Sequence, residues 1–135
     1  MKALYEEALA VDDVVGLVIG TRPDCMPDEL LEYLEELSKK VFVLVEYGVE
    51  TSKNATLEII NRGHTWEDAV DAVNRTKAHN ILCGIHLIIG LPGETIDDIL
   101  ATADAVSTLP LDTVKLHQLQ LIRGTRMAQQ VEVGE

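Results

Sequence analysis

The sequence has few cysteines and few basic residues, and each shortage excludes a kind of site. Its two cysteines, Cys25 and Cys83, lie far apart and form neither a CxxC nor a CxxxC pattern. This spacing excludes a structural zinc site or a cysteine-ligated iron–sulfur cluster supplied by this chain alone. Lysine and arginine number 11 against 23 acidic residues, giving a formal net charge of −12. That balance argues against a broad nucleic-acid surface, because such affinity depends on basic side chains.

The sequence also lacks a long apolar segment. Its purely apolar runs, such as residues 41–45, span only a few residues, whereas a membrane-spanning helix needs roughly 20. Glu6 and Glu7 stand where a signal peptide would have basic and then apolar residues. At 47% hydrophobic and 25% charged residues the composition is typical of a globular protein. We therefore predict a cytoplasmic globular domain that does not contact a membrane.

Strand and helix patterns alternate along the chain. The apolar runs predict four strands, and amphipathic or capped segments follow the first three of them. The predicted strands are residues 14–20, 41–46, 81–89 and 112–121, and the predicted helices are residues 3–10, 27–40, 55–61, 65–79 and 95–107. We expect the first strand to be buried on both faces. This alternation predicts a parallel α/β sheet, either doubly wound or an arc of a (β/α) barrel, and four strands are too few to close a barrel.

Polar and glycine-rich motifs follow or lie along all four predicted strands. Because the carboxyl ends of parallel strands open on one rim, these motifs are expected to converge there. The motifs are Gly20-Thr21-Arg22-Pro23-Asp24, Glu46-Tyr47-Gly48-Val49-Glu50-Thr51, Gly90-Leu91-Pro92-Gly93-Glu94 and Lys115-Leu116-His117-Gln118. The Arg-Pro-Asp and Gly-Leu-Pro-Gly segments could equally be simple turns.

Four side chains in these strands are candidates for chemistry. Glu46 ends an apolar run, where its burial would be costly unless it is paired or ligand-bound. His86, inside the third strand, is either a satisfied core residue or a functional one. Lys115 and His117 share one face of the fourth strand, and line a cavity only if that face points inward.

Together with Ile60-Asn61-Arg62-Gly63-His64-Thr65, these motifs resemble the radical S-adenosylmethionine (SAM) superfamily, in its elongator/coproporphyrinogen-oxidase-like subgroup and YhcC-like branch. The resemblance covers nearly the whole chain. It implies a partial (β/α)6 TIM-like barrel whose third to sixth strands are the four predicted here. Residues 1–135 would then be a C-terminal fragment of that core, without its CxxxCxxC segment.

The resemblance implies a function for the longer parent protein. Such an enzyme, of the iron–sulfur oxidoreductase type, cleaves SAM at a [4Fe–4S] cluster to make a 5′-deoxyadenosyl radical. We expect the fragment alone to be inactive and to bind no cofactor, and neither Cys25 nor Cys83 to be a cluster ligand.

The resemblance also implies roles for single residues. Glu50 occupies the position of a glutamine that contacts the cofactor ribose, and Arg62 that of an arginine that pairs with the methionyl carboxylate. His86 replaces an aspartate that meets the ribose, and Thr21 lies where relatives have an acid for the methionyl amine. Glu46, Lys115 and His117 would line the substrate cavity.

Two alternatives remain open. A different (β/α) barrel enzyme, such as an aldolase or lyase, would use Lys115 as a nucleophile. A small doubly wound ligand-binding domain would show a strand order that reverses direction. An arc of strands leaves two open edges, through which we expect copies to associate. RNA, a substrate of some relatives, would be contacted only by other parts of the protein.

Overall fold

The strands and helices alternate as the sequence predicts in a computed structural model, which describes residues 1–134. The strands are β1 Gly16–Thr21, β2 Phe42–Glu50, β3 Leu82–Ile89 and β4 Thr113–Gln118. The helices are α1 Lys2–Leu9, α2 Asp28–Ser38, α3 Asn54–Ile59, α4 Trp66–Ala78, α5 Ile96–Ser107 and α6 Arg126–Glu132. A single 3₁₀ turn, Pro23–Cys25, follows β1.

The four strands form one parallel sheet in the order β1-β2-β3-β4. Each strand pairs with the next one along the chain, which confirms the predicted arc of a partial barrel. The order does not reverse within the described strands, so the fold lacks the switch point that a doubly wound binding domain requires.

One face of the sheet packs against the helices and forms the hydrophobic core. Alternate residues of β2 and β3 point to this face, among them Tyr47 and Ile85, and they meet buried leucines and valines of α2, α4 and α5. Tyr47 is fully buried, and its hydroxyl lies 2.7 Å from Thr76 Oγ1 on α4. Since Thr76 donates its own proton to Ala72 O, Tyr47 is the donor of this bond.

The helix starts are set by short capping motifs. Thr65 accepts a hydrogen bond from the Asp68 amide while the Asp68 carboxylate accepts one from the Thr65 amide, and the two bonds form a capping box. Thr95 and Asp98 form the same reciprocal pair at the start of α5. Both boxes satisfy amides that a helix leaves free at its first turn.

Two predictions about the strands were wrong. β2 does not end at Glu46 but continues to Glu50, because Tyr47 and Val49 are buried on the core face. Near its end a register shift lies between Gly48 and Glu50, and Glu50 adopts a φ of 69°. β1 is not buried on both faces: Val18 is 58% exposed, because its side of the sheet faces away from the helices.

None of the helices formed by residues 1–134 has the length and hydropathy required to cross a membrane.

Candidate functional site

The face of the sheet opposite the core carries a cluster of polar side chains. We call it the polar face and define it by Glu46, Gly84, His86, Lys115 and His117. Glu46 pairs in register with Gly84, and His86 with Lys115, so these residues point to the same side of three adjacent strands. The structure therefore brings together Glu46, His86, Lys115 and His117, although the chain separates them widely.

Glu46 is the buried centre of this cluster, with 7% of its surface exposed. Its Oε2 lies 2.7 Å from His86 Nε2 and 3.4 Å from Lys115 Nζ. The hydrogen bond from His86 lowers the pKa of the Glu46 carboxyl; burial opposes this effect, and Lys115 adds to it. Glu46 is therefore a carboxylate at neutral pH, and its pairing explains how the acid is tolerated at the end of an apolar run.

The two histidines extend the cluster across the sheet. His117 Nε2 lies 3.1 Å from His86 Nδ1, and the ring centroids are 4.9 Å apart at an angle of 39°. Both ring nitrogens of His86 are thus within hydrogen-bond distance of a side chain, one of Glu46 and the other of His117.

Gly84 lies between Glu46 and Thr113 in the sheet. A Cβ at this position would collide with Thr113 Oγ1, whereas it would lie 3.4 Å from Glu46 Cγ, an ordinary contact distance. The glycine therefore makes room for Thr113 of β4 rather than for Glu46.

A second polar cluster lies where β2 ends. Arg62 Nη2 donates to Gly48 O at 2.9 Å and lies 3.2 Å from Glu50 Oε1. Burial raises the pKa of the Glu50 carboxyl, and the charge of Arg62 opposes the rise. A Cβ on Gly48 would lie 2.5 Å from Arg62 Nη2, so a side chain at this position would displace the guanidinium. Arg62 Nε is buried and has no hydrogen-bond partner within residues 1–134.

His64 is a polar residue of this region that the sequence did not single out. It is 4% exposed, its Nε2 lies 3.4 Å from Val49 O, and burial lowers its pKa. Its Nδ1 is buried without a partner among the described residues. The one available signal is its position directly before the helix cap Thr65, where a side chain often packs against the first helical turn.

Arg22 and Thr21 lie apart from the polar face. The Arg22 guanidinium pairs with the Asp24 carboxylate two residues on, through both Nε and Nη2. The Cys25 amide donates to Arg22 O at 3.1 Å, which closes the simple turn that the sequence left open. Thr21 pairs in register with Tyr47, which places it on the core side of β1 rather than beside His86.

The Gly90–Glu94 loop is held by its own turn geometry and by the end of β2. Gly90 and Gly93 have φ angles of 94° and 75°, which side-chain-bearing residues rarely adopt. Thr51 Oγ1 donates to Glu94 Oε1 at 2.5 Å and lies 3.3 Å from Thr102 Oγ1. This loop is therefore fixed against the rim, and the threonines that fix it were not predicted.

A cleft of about 570 Å³ opens at the carboxyl ends of β3 and β4. Its lining includes His117 and Gly90. Of the two paired histidines, His117 therefore borders a space large enough for a small molecule.

Residues 1–134 contain no group of three or more His, Cys, Asp or Glu side chains placed to hold a metal ion. Cys25 is exposed, and Cys83 is buried in the core, where burial raises the pKa of its thiol to about 12. The described residues therefore do not form the ligand set of an iron–sulfur cluster.

Comparison with known families confirms the resemblance. The profile of the Radical SAM superfamily matches residues 1–106. The chain is 42% identical over 135 residues to the protein YtqA of Bacillus subtilis, and 36% identical over 135 residues to YhcC of Escherichia coli. It is 30% identical over 139 residues to a tRNA uridine(34) acetyltransferase of Methanocaldococcus infernus.

The chain spans less than half the length of these curated relatives. The alignment with YtqA covers 100% of this chain and 42% of YtqA, and the alignment with YhcC covers 99% of this chain and 44% of YhcC. The alignment with the acetyltransferase covers 96% of this chain and 25% of that protein.

Solved structures share the fold. Elp3 of Methanocaldococcus infernus superposes with a TM-score of 0.78 at 28% identity, covering 90% of this chain and 28% of that protein. Coproporphyrinogen III oxidase (HemN) of Escherichia coli, described as a radical SAM enzyme, gives a TM-score of 0.68 at 22% identity, covering 84% and 26%. The similarity to coproporphyrinogen III oxidase, at 22% identity, supports the fold alone.

Proposed function

This chain belongs to the radical SAM superfamily, and from that premise we propose that it forms the SAM-binding and substrate-facing part of a radical SAM enzyme. In such an enzyme SAM and a [4Fe–4S] cluster together supply a 5′-deoxyadenosyl radical that abstracts hydrogen from the substrate. We place β1 to β4 as the third to sixth strands of the family barrel. The observation that supports this proposal best is the environment of Arg62.

Arg62 fits the carboxylate of an amino-acid ligand. Its buried Nε is a donor without a partner within residues 1–134, and a buried donor of this kind is costly unless a ligand satisfies it. A planar guanidinium recognises a carboxylate through two parallel hydrogen bonds, so Arg62 would hold the methionyl carboxylate of SAM.

Glu50 lies beside Arg62 and would accept hydrogen bonds from the ribose hydroxyls. Its position at the carboxyl end of β2, with φ 69°, directs the chain across the rim. His86, the other residue predicted for the ribose, is left out of the proposed contact, because both of its ring nitrogens already lie within hydrogen-bond distance of Glu46 and His117. Thr21 stays a prediction for the methionyl amine.

The polar face would lie towards the substrate. Glu46, Lys115 and His117 offer one carboxylate and two groups that can carry positive charge, within the arc where a barrel encloses its ligand. None of the residues described here can serve as the ligands of the [4Fe–4S] cluster. We infer that another part of the protein supplies these ligands.

The binding proposal is tested on a longer protein that contains this chain and matches the length of its relatives. This protein is reconstituted anaerobically with iron and sulfide, and SAM is titrated into it. Arg62→Lys should weaken SAM binding at least about tenfold, because lysine cannot make the two-point contact. Arg123→Lys, on an exposed residue after β4, is the matched control and should leave affinity unchanged. Equal affinity in both variants would remove Arg62 from the site.

The activity proposal is tested on the same reconstituted protein. With dithionite as reductant it should release 5′-deoxyadenosine from SAM, detected by chromatography. A protein that forms the cluster and binds SAM but releases no 5′-deoxyadenosine would contradict the proposed reaction.

Some relatives are named for their action on tRNA, which raises the question of whether this chain binds RNA. One relative is named for its action on tRNA uridine, and another is a tRNA-2-methylthio-N(6)-dimethylallyladenosine synthase at 27% identity. With a formal net charge of −12, we infer that this chain contributes no broad RNA-binding surface. The chain alone should therefore not retain tRNA in a filter-binding assay at physiological salt.

A further inference from the structure

Three polar side chains of the polar face form a continuous series across three strands. Glu46 Oε2 lies 2.7 Å from His86 Nε2, and His86 Nδ1 lies 3.1 Å from His117 Nε2. The series begins at a carboxylate that is 7% exposed and ends at a histidine that lines the rim cleft.

The carboxylate fixes where the protons lie. Because ionised Glu46 can only accept, His86 Nε2 must carry the hydrogen of the first bond. A neutral His86 then has a bare Nδ1, which can only accept, so His117 Nε2 carries the hydrogen of the second bond. A neutral His117 is left with a bare Nδ1 at the end of the series.

We propose that Glu46, His86 and His117 form a proton relay between the rim and the buried carboxylate, with His117 as the group that exchanges a proton with the substrate. The relay rests on the proposed function for the presence of a substrate at this rim. His86 transmits the proton, and Glu46 positions His86 and stabilises its charge.

The transfer balances without any further reactant. His117 Nδ1 takes a proton from an N–H or O–H group of the substrate, whose bonding electron pair stays on the substrate atom. The hydrogen on His117 Nε2 then passes to His86 Nδ1, which makes His86 an imidazolium beside the Glu46 carboxylate. His117 returns to a neutral ring with its hydrogen on Nδ1, and the reverse sequence gives the proton back.

Charges of both signs surround this end state. The Glu46 carboxylate favours an imidazolium on His86, whereas Lys115, whose Nζ is 3.4 Å from Glu46 Oε2, offsets part of the carboxylate charge and opposes it. Glu50 is the second acid near the two histidines, and it is paired with Arg62. Hence Glu46 is the acid in direct contact with His86.

The first test reads the hydrogen positions in the unaltered protein. In histidine-labelled protein at alkaline pH, long-range ¹⁵N–¹H spectra should show both His86 and His117 protonated at Nε2. His79 is an internal control with the opposite tautomer, because its Nδ1 bonds to Glu35 Oε2 at 2.8 Å. A hydrogen on Nδ1 of His86 would overturn the relay.

The second test removes the charge at the buried end. Glu46→Gln keeps the shape of the side chain but no longer requires a hydrogen on His86 Nε2, so the hydrogens of His86 and His117 should both move partly from Nε2 to Nδ1 at alkaline pH. Glu35→Gln is the matched control and should change only the hydrogen position of His79. An unchanged hydrogen position on His117 in Glu46→Gln would overturn the proposal.

The third test separates a relay from a through-space charge effect. In a His86→Asn background, or His86→Gln if that variant does not fold, Glu46→Gln should change the hydrogen position on His117 less than half as much as it does in the unaltered background. An equal change in both backgrounds would show that Glu46 acts on His117 through space, and the relay would be rejected.

These measurements need neither cofactor nor substrate. Loss of SAM binding would therefore contradict the proposed function and leave the relay standing, whereas a wrong tautomer would reject the relay alone.

Discussion

Glu46 and His86 are hydrogen bonded at 2.7 Å although 40 residues separate them in the chain. They meet because β2 and β3 are neighbours in a parallel sheet and both residues point away from the helices. Gly84, which pairs with Glu46, makes room on the other side for Thr113 of β4.

Acid should destabilise the protein through Glu46. Its pKa is lowered in the folded state, so the carboxylate contributes stability above the usual carboxyl range, and this contribution is lost as the pH falls through the folded pKa. The free energy of unfolding, measured in urea, should fall below about pH 4.5. In Glu46→Gln this dependence should be flatter, and identical slopes in the two proteins would contradict the assignment.

Glu50 should have the opposite effect. Burial raises its pKa in the folded state, so its contribution is present below the usual carboxyl range and is lost as the pH rises through the folded pKa. Glu50→Gln should therefore unfold at neutral pH with a free energy equal to or above that of the unaltered protein. Glu58→Gln, on an exposed residue of α3, is the control. A marked loss of stability in Glu50→Gln would show that its ion pair with Arg62 outweighs its burial.

Gly84→Ala should destabilise the sheet by about 1–3 kcal/mol, because the new methyl group collides with Thr113 Oγ1 across the β3–β4 pair. Gly20→Ala is the matched control in β1, where a Cβ meets nothing within 4 Å. Chemical denaturation of the two variants measures the difference. Equal stabilities would mean that β4 moves aside without cost.

Tyr47→Phe should cost about 1 kcal/mol of unfolding free energy, because the buried Thr76 hydroxyl loses its donor. Tyr33→Phe removes an exposed bond to Glu6, 3.3 Å long, and should have little effect. Thermal unfolding monitored by circular dichroism distinguishes the two, and a neutral Tyr47→Phe would show that the hydroxyl pair adds nothing to the core.

The chain should associate through its sheet edges. Within residues 1–134, β1 and β4 each pair with one strand only, and every residue of β4 is exposed. Sedimentation velocity should show a mass that grows with concentration, and Leu116→Lys should reduce this association by placing a charge on the edge strand. A monomer at all concentrations would contradict the prediction.

The sequence predicted the order of the elements and the face shared by Lys115 and His117, because both follow from local periodicity. It also predicted that Glu46 needs a partner, since a buried acid is costly wherever it lies. The sequence could not predict that His86 and Lys115 are the partners of Glu46, because the register between β2, β3 and β4 depends on how whole strands pair.

The errors have the same origin. The end of β2 was missed because Gly48 normally indicates a turn, yet here the glycine lies within the strand and the Arg62 guanidinium packs against it. Val18 was expected to be buried because an apolar run does not indicate which side of a sheet the helices cover. His64 was missed because its one signal, the position directly before the helix cap Thr65, is weak and its burial results from the fold around it.

The sequential order of the sheet also bears on how the chain folds. Each strand pairs with the one next to it in the sequence, so every pairing closes only the connection between consecutive strands, which holds two α-helices between β2 and β3 and one elsewhere. The sheet can consequently grow one strand at a time during synthesis, with each new strand finding its partner already in place. The rim is completed late in this order, because the Glu46–His86–His117 series forms only when β4 has joined the sheet.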